Sequence, residues 1–194
     1  SYGARYGFWP RGKELPGEPG SFQLLLDPYG RGIDEVPGQD DVPGGDNVPL
    51  FFSVHVDPAF DWGSSRQPHT PWRDTVIYEA HVRGQTMLHP EIPEELRGTY
   101  AGFGHPVMVD YLKRLGVTAV QLLPIHFHTD EEHLRTLGLT NYWGYNTLGF
   151  FAPHSEYATR AARAAGAKAV QDELKTMIRS LHEGGLEVIL DVVY

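Results

Sequence analysis

The sequence predicts a mixed fold: a β-rich, loop-heavy stretch over residues 1 to about 70, then a β-α-β-α-β run that builds a parallel sheet. Two observations carry this. Glycine and proline crowd residues 10 to 49, which read PRGKELPGEPG, DPYGRG and VPGQDDVPGGDNVP between short apolar pieces, a composition that makes turns and loops. From Asp74 onward, strand-length and helix-length apolar patterns alternate, and the helices are long enough for the crossovers that parallel strands require.

Taken in order, Phe22 to Leu26 and Leu50 to Val56 have strand length, and the Pro-rich Gln67 to Trp72 (QPHTPW) is a junction. Thr75 to Arg83 alternates, with Val76, Tyr78, Ala80 and Val82 on one face and Ile77, Glu79, His81 and Arg83 on the other. Met108, Tyr111, Leu112 and Leu115 recur at helical spacing, and Gly116 closes that helix at C′. Val117 to Ile125 is a nearly continuous apolar run ended by Pro124, as a strand buried on both faces would be. A second helix carries Val170, Leu174, Met177, Ile178 and Leu181 on one side and stops at Gly184 and Gly185; Leu186 to Tyr194 is another strand of buried type. Helix-to-strand links are short, whereas His126 to Ala165 spans about 40 residues, far beyond the roughly two to six of an ordinary strand-to-helix loop. Long loops at the carboxyl ends of parallel strands are where such sheets and barrels bind ligands.

The 194 residues suffice for a real core but not for a complete (β/α)8 barrel of about 250 residues. A net charge of −9 disfavours a nucleic-acid or anionic-membrane partner, and the absence of cysteine removes disulfides, thiol catalysis and Cys-ligated zinc. No run approaches the roughly 18 apolar residues of a membrane span, and the start, SYGARYGFWPRG, lacks the basic and apolar regions of a signal peptide. A soluble protein without a membrane partner is expected. The initial Ser is consistent with processing or with a start further upstream.

Several residues could carry chemistry. Asn141 to Pro153 (NYWGYNTLGFFAP) gathers Tyr142, Trp143, Tyr145, Phe150 and Phe151. Rings beside amides and carboxylates suit a sugar, whose C–H faces stack while its hydroxyls seek hydrogen bonds; rings that merely pack the loop are the other reading. Asp191 sits in an apolar strand, where a carboxylate requires either a site role or a structural hydrogen bond. Glu79, His81 and Arg83 point to an ion-pair cluster or to catalysis. His126 and His128 stand two apart, so that on a strand both imidazoles would point the same way and could ligate a metal, although spacing fixes no third ligand. Asp130, Glu131 and Glu132 read as a solvated helix start. Gly102 to His105 is not a dinucleotide fingerprint, and GxSxG, Walker and HExxH sequences are absent.

The strings LLLDPYGRGI (Leu24 to Ile33), DTVIYEAHVRG (Asp74 to Gly84), LRGTYAGFGHP (Leu96 to Pro106), LGVTAVQLLPIH (Leu115 to His126), LTNYWGYNTLGFFAPHSEYA (Leu139 to Ala158) and LEVILDVVY (Leu186 to Tyr194) together resemble the glycogen debranching enzyme and isoamylase group of the α-amylase superfamily. The resemblance implies the end of an N-terminal β-sandwich domain of carbohydrate-binding type over residues 1–70. Residues 71–194 would then be the first three strands and two helices of a catalytic (β/α)8 TIM barrel, the strands being Thr75 to His81, Val117 to Leu123 and Glu187 to Tyr194. The implied activity is retaining hydrolysis of α-1,6-glucosidic branch linkages in glycogen or limit dextrins, with branched α-glucan as the partner, no cofactor, and a cytoplasmic location.

In that family the nucleophile and the acid/base follow strands four and five, so no residue of this chain takes a catalytic role and the polypeptide alone is expected to be inactive. It is also expected to be poorly soluble, since its last strand would be an open apolar edge. Asp191 matches the Asp of the family's Asp-Val-Val-Tyr-Asn-His string, and Tyr145 the tyrosine that stacks on the glucose ring at the cleavage position. Trp143, Tyr142 and Asn141 share that loop as implied substrate-binding residues. HFHTDEEHL (His126 to Leu134) departs from the family and leaves the outer groove unassigned. The rivals are a non-catalytic glucan-binding module and a metal-dependent barrel hydrolase built on His126 and His128.

Overall fold

The computed structural model describes residues 1–8, 24–36 and 49–194. The β-rich start forms an antiparallel sheet of β1 (Arg5–Tyr6), β2 (Ile33–Val36) and β3 (Leu50–Val54), in the order β1-β3-β2. The strand expected over Phe22 to Leu26 is represented by a single bridge between Leu25 and Phe8, and Phe22 and Gln23 lie outside the described residues. Beside it Asp27 fixes a tight turn. Its carboxylate accepts from the Tyr29 backbone N–H at 2.9 Å and from the Tyr6 hydroxyl at 2.7 Å, and its own N–H donates to Ser53 Oγ at 2.9 Å.

The second half contains β4 (Ile77–Ala80), β5 (Ala119–Leu122), the antiparallel pair β6 (His126–His128) and β7 (Thr147–Pro153), and β8 (Glu187–Leu190). Strands β4, β5 and β8 form the expected parallel sheet in that order, in register from Ile77, Ala119 and Glu187. The helices are α1 (Val82–Thr86), α2 (Tyr100–Phe103), α3 (Pro106–Arg114), α4 (Glu132–Thr136), α5 (Arg160–Ala165) and α6 (Ala167–Glu183). Helix α3 starts behind a His105 cap with Pro106 in its first turn, and the chain leaves it through Gly116 at φ +79°, a left-handed position that favours glycine.

Met108 and Leu112 of α3, Tyr100 and Phe103 of α2, and Val170, Met177 and Leu181 of α6 bury one face of the sheet through Ala80, Val120 and Leu122. The opposite face is bare in places: Ile77 is 48 % and Ile189 37 % exposed. Leu186 to Tyr194 is therefore not a strand buried on both faces. Only Glu187–Leu190 pairs with β5, and Leu190 and Val193 are exposed, because among the described residues helices cover one face and no strand pairs with the far edge of β8. Thr75 to Arg83 likewise shortens to Ile77–Ala80, since the chain turns into α1 immediately after His81. The long loop holds more order than expected, because β6 and β7 pair within it. Phe60 packs under Lys175 and Arg179 of α6 at 5.6 and 5.5 Å, and Thr70 N–H donates to Glu187 Oε1 at 3.1 Å.

Candidate functional site

The carboxyl ends of β4, β5 and β8 lie side by side, and residues 142–145 cross all three. At the β4 end, His81 Nε2 donates to the Tyr142 carbonyl at 2.6 Å, and the two rings stack with centroids 4.0 Å apart and planes 6° from parallel. Past the end of β5, a Cβ on Gly144 would stand 3.2 Å from the Pro124 carbonyl oxygen and 3.0 Å from the His128 ring. With φ at +80° as well, this position needs glycine. At the β8 end, the Tyr145 hydroxyl donates to Asp191 Oδ2, while Asp191 N–H donates to Leu122 O at 3.0 Å and keeps the carboxylate aligned with the sheet. The hydrogen bond to Asp191, then burial and the charges of Asp191 and Glu79, push the Tyr145 phenol up to about 12.

Each residue expected to bind substrate has a definite place. Trp143 is 58 % and Tyr145 44 % exposed, and Trp143 meets Tyr142 edge to face at 5.7 Å. Asn141 faces inward: its N–H donates to Asp130 Oδ1 at 2.6 Å, its amide to the Glu131 carboxylate at 3.1 Å, and its Oδ1 accepts from Gly144 N–H at 2.9 Å. Asp130 and Glu131 thus clamp the loop, where a merely solvated helix start had been expected, although α4 does begin there. Asp191 takes a hydrogen-bonding role just past the end of β8.

Glu79, His81 and Arg83 form no ion-pair cluster. Glu79 accepts from Gln121 at 3.4 Å, Arg83 donates to the Glu156 carbonyl at 3.2 Å, and His81 caps α1, its Nδ1 accepting from the Arg83 and Gly84 N–H groups at 3.1 and 3.2 Å.

Behind the loop lies a layer of imidazoles. His128 and His154 stack at 3.6 Å, and Tyr157 sits edge-on to His154 at 4.7 Å and to His81 at 5.4 Å. A carbonyl can only accept, so His128 donates from Nδ1 to His126 O at 3.0 Å. The buried His126 Nδ1 has no partner among the described residues. Burial holds His81, His126 and His128 below their ordinary 6.5; burial, then the charges of His128, Arg83 and His81, hold His154 down to about 2. No group of three or more His, Cys, Asp or Glu among the described residues could hold a metal ion, so the metal-site reading of His126 and His128 has no support in the geometry. Among the same residues, no helix is long and apolar enough to cross a membrane. Sequence reasoning missed His154 and Tyr157; the signal was PHSEY, where a histidine follows the strand-ending Pro153 directly.

No protein-family model matches the chain. Among solved structures, the pullulanase of Anoxybacillus sp. LM18-11 complexed with maltotetraose superposes with a TM-score of 0.65 at 28 % identity, over 90 % of this chain and 24 % of that one. A Paenibacillus barengoltzii pullulanase mutant complexed with maltotetraose gives 0.66 at 29 %, over 90 % and 27 %. These likenesses place the fold within the α-amylase superfamily of glycoside hydrolases. The glycogen operon protein GlgX homolog of Mycobacterium tuberculosis is 48 % identical over 99 % of this chain and 29 % of its own length. The glycogen debranching enzyme of Yersinia enterocolitica is 44 % identical over 99 % and 30 %. The chain is similar to glycogen debranching enzymes over nearly its whole length, and it spans about 30 % of the length of the curated relatives it matches.

Proposed function

We propose that this chain supplies the sugar-stacking wall of an enzyme that hydrolyses α-1,6-glucosidic branch linkages in glycogen or limit dextrins. The observation that carries the reading is the loop crossing three parallel strand ends, with Tyr145 held at its hydroxyl by Asp191, its ring part-exposed, and Trp143 exposed two positions earlier in the same loop. A ring fixed at one end and open to solvent at the other is suited to the apolar face of a glucose unit. In the same reading, residues 1–70 end a β-sandwich domain and residues 71–194 begin a (β/α)8 barrel. The change from an antiparallel to a parallel sheet supports this division, as does the uncovered face of Ile77 and Ile189, which would look into the barrel.

Retaining hydrolysis needs two carboxyl groups about 5 to 5.5 Å apart flanking the bond, and both are assigned outside these 194 residues. The chain by itself should bind glucan without turning it over. A cytoplasmic location goes with glycogen as substrate.

Calorimetric titration with maltotetraose tests the reading. Saturable binding is expected, weakened about tenfold or more by Tyr145→Ala and by Trp143→Ala, about 1.4 kcal/mol each. No binding, or binding indifferent to both substitutions, would sink it.

A further inference from the structure

We propose that His81 is the positioning residue of the Tyr142–Tyr145 loop, holding it only as the neutral imidazole protonated on Nε2, so that acid releases the loop. The proton's place follows from the partners. Nδ1 accepts from two backbone N–H groups, of Arg83 and Gly84, and therefore carries no hydrogen; Nε2 meets the Tyr142 carbonyl at 2.6 Å and must donate. One ring thus performs two tasks at once. It caps α1 just past the end of β4, and it grips the loop by a hydrogen bond and a face-to-face stack. A second proton would turn Nδ1 into a donor facing two donors. The ring would then have to leave the cap and take the stack with Tyr142 away with it.

The surroundings oppose that proton. Arg83 on α1, His128 on β6 and His154 after β7 are cations or bases close to the ring, and Tyr157 lies 3.2 Å from Nε2. The carboxylates on that side are Glu35 of β2, Asp130 and Glu156, which with Arg135 of α4 line an adjoining cavity of about 180 Å³. Asp130 accepts from the Asn141 N–H, and Glu156 is ion-paired with Arg163 at 2.5 Å. Burial and the charges of Arg83 and His128 lower the basicity of His81, against the opposite pull of the Tyr142 carbonyl. Neutral His81 is therefore the form held at neutral pH, and protonation comes below the ordinary 6.5.

The consequence for sugar binding rests on the proposed function; the positioning itself does not. The test is hydrogen exchange of segment 139–146, corrected for intrinsic rates, on the full chain from pH 8 to pH 4, with maltotetraose affinity measured in parallel. In the wild type, exchange of this segment should rise about tenfold or more in acid before the chain unfolds globally. His81→Asn keeps a capping oxygen but cannot reach Tyr142, so its loop should exchange fast at every pH. His81→Gln can still donate to the carbonyl and does not titrate, so its loop should stay protected and show no acid step. Wild-type protection that persists to the global acid transition, full protection in His81→Asn, or an undiminished acid step in His81→Gln would each overturn the inference. Loop protection that follows His81 while no variant binds maltotetraose would leave the positioning standing and sink the sugar reading.

Discussion

Tyr142 and Tyr145 stand three positions apart in one loop and are almost equally exposed, at 45 % and 44 %, yet they are held in opposite ways. Tyr142 is gripped by its backbone carbonyl and one ring face, against a layer of buried imidazoles. Tyr145 is gripped only by its hydroxyl, and among the described residues no aromatic ring lies against it. Exposure alone does not separate them; the manner of attachment does. A tyrosine whose ring face is taken positions a loop, and a tyrosine tethered at its rim can receive a ligand.

Acid should produce the largest effect, and it attacks the Tyr142 side. The unfolded chain takes up protons on His81, His126, His128 and His154 as pH falls below 6.5 while the folded chain resists, so stability is full above that value and declines below it. For His154, held down to about 2, the loss is roughly 1.4 kcal/mol per pH unit below 6.5, read from denaturation midpoints between pH 8 and 4. Midpoints unchanged over that range would show that the imidazole layer is not neutral. Gly144→Ala comes next, since it puts a side chain at φ +80° against the His128 ring and strains both ends of the loop. A loss of about 2 kcal/mol and of maltotetraose binding is expected.

Smaller effects should divide the two tyrosines. Tyr142→Ala should cost about 1 kcal/mol of stability through the lost stack, and Tyr145→Ala under about 0.5 kcal/mol while weakening the sugar. Equal stability losses in chemical denaturation would erase the distinction. The smallest effect lies on the alkaline side: Asp191→Asn should return the Tyr145 phenol from about 12 toward its ordinary 10, seen as an earlier step in the ultraviolet titration of tyrosinate, with little change in stability.

The parallel strands and the two long helices were legible because apolar spacing and the glycines at 116, 184 and 185 report local physics directly. The β6–β7 hairpin was not, since irregular register between His126 and His128 breaks the alternation that marks a strand, leaving a loop-like string. His81 was read as a strand residue because alternation continues through Arg83, whereas capping depends on where the chain turns. The aromatic loop was legible as a group of rings, but not which ring is held by which partner.

The sequence by itself determined the order of the parallel strands and of the two long helices, the family resemblance, and the loop where the rings gather, because periodicity, turn chemistry and motif strings are written in neighbouring residues. Only the tertiary structure decided that Tyr145 meets Asp191 across 46 positions and that Tyr142 meets His81 across 61. Those pairings arise from parallel strands that bring their carboxyl ends together, and no local pattern encodes which distant side chains that juxtaposition will join.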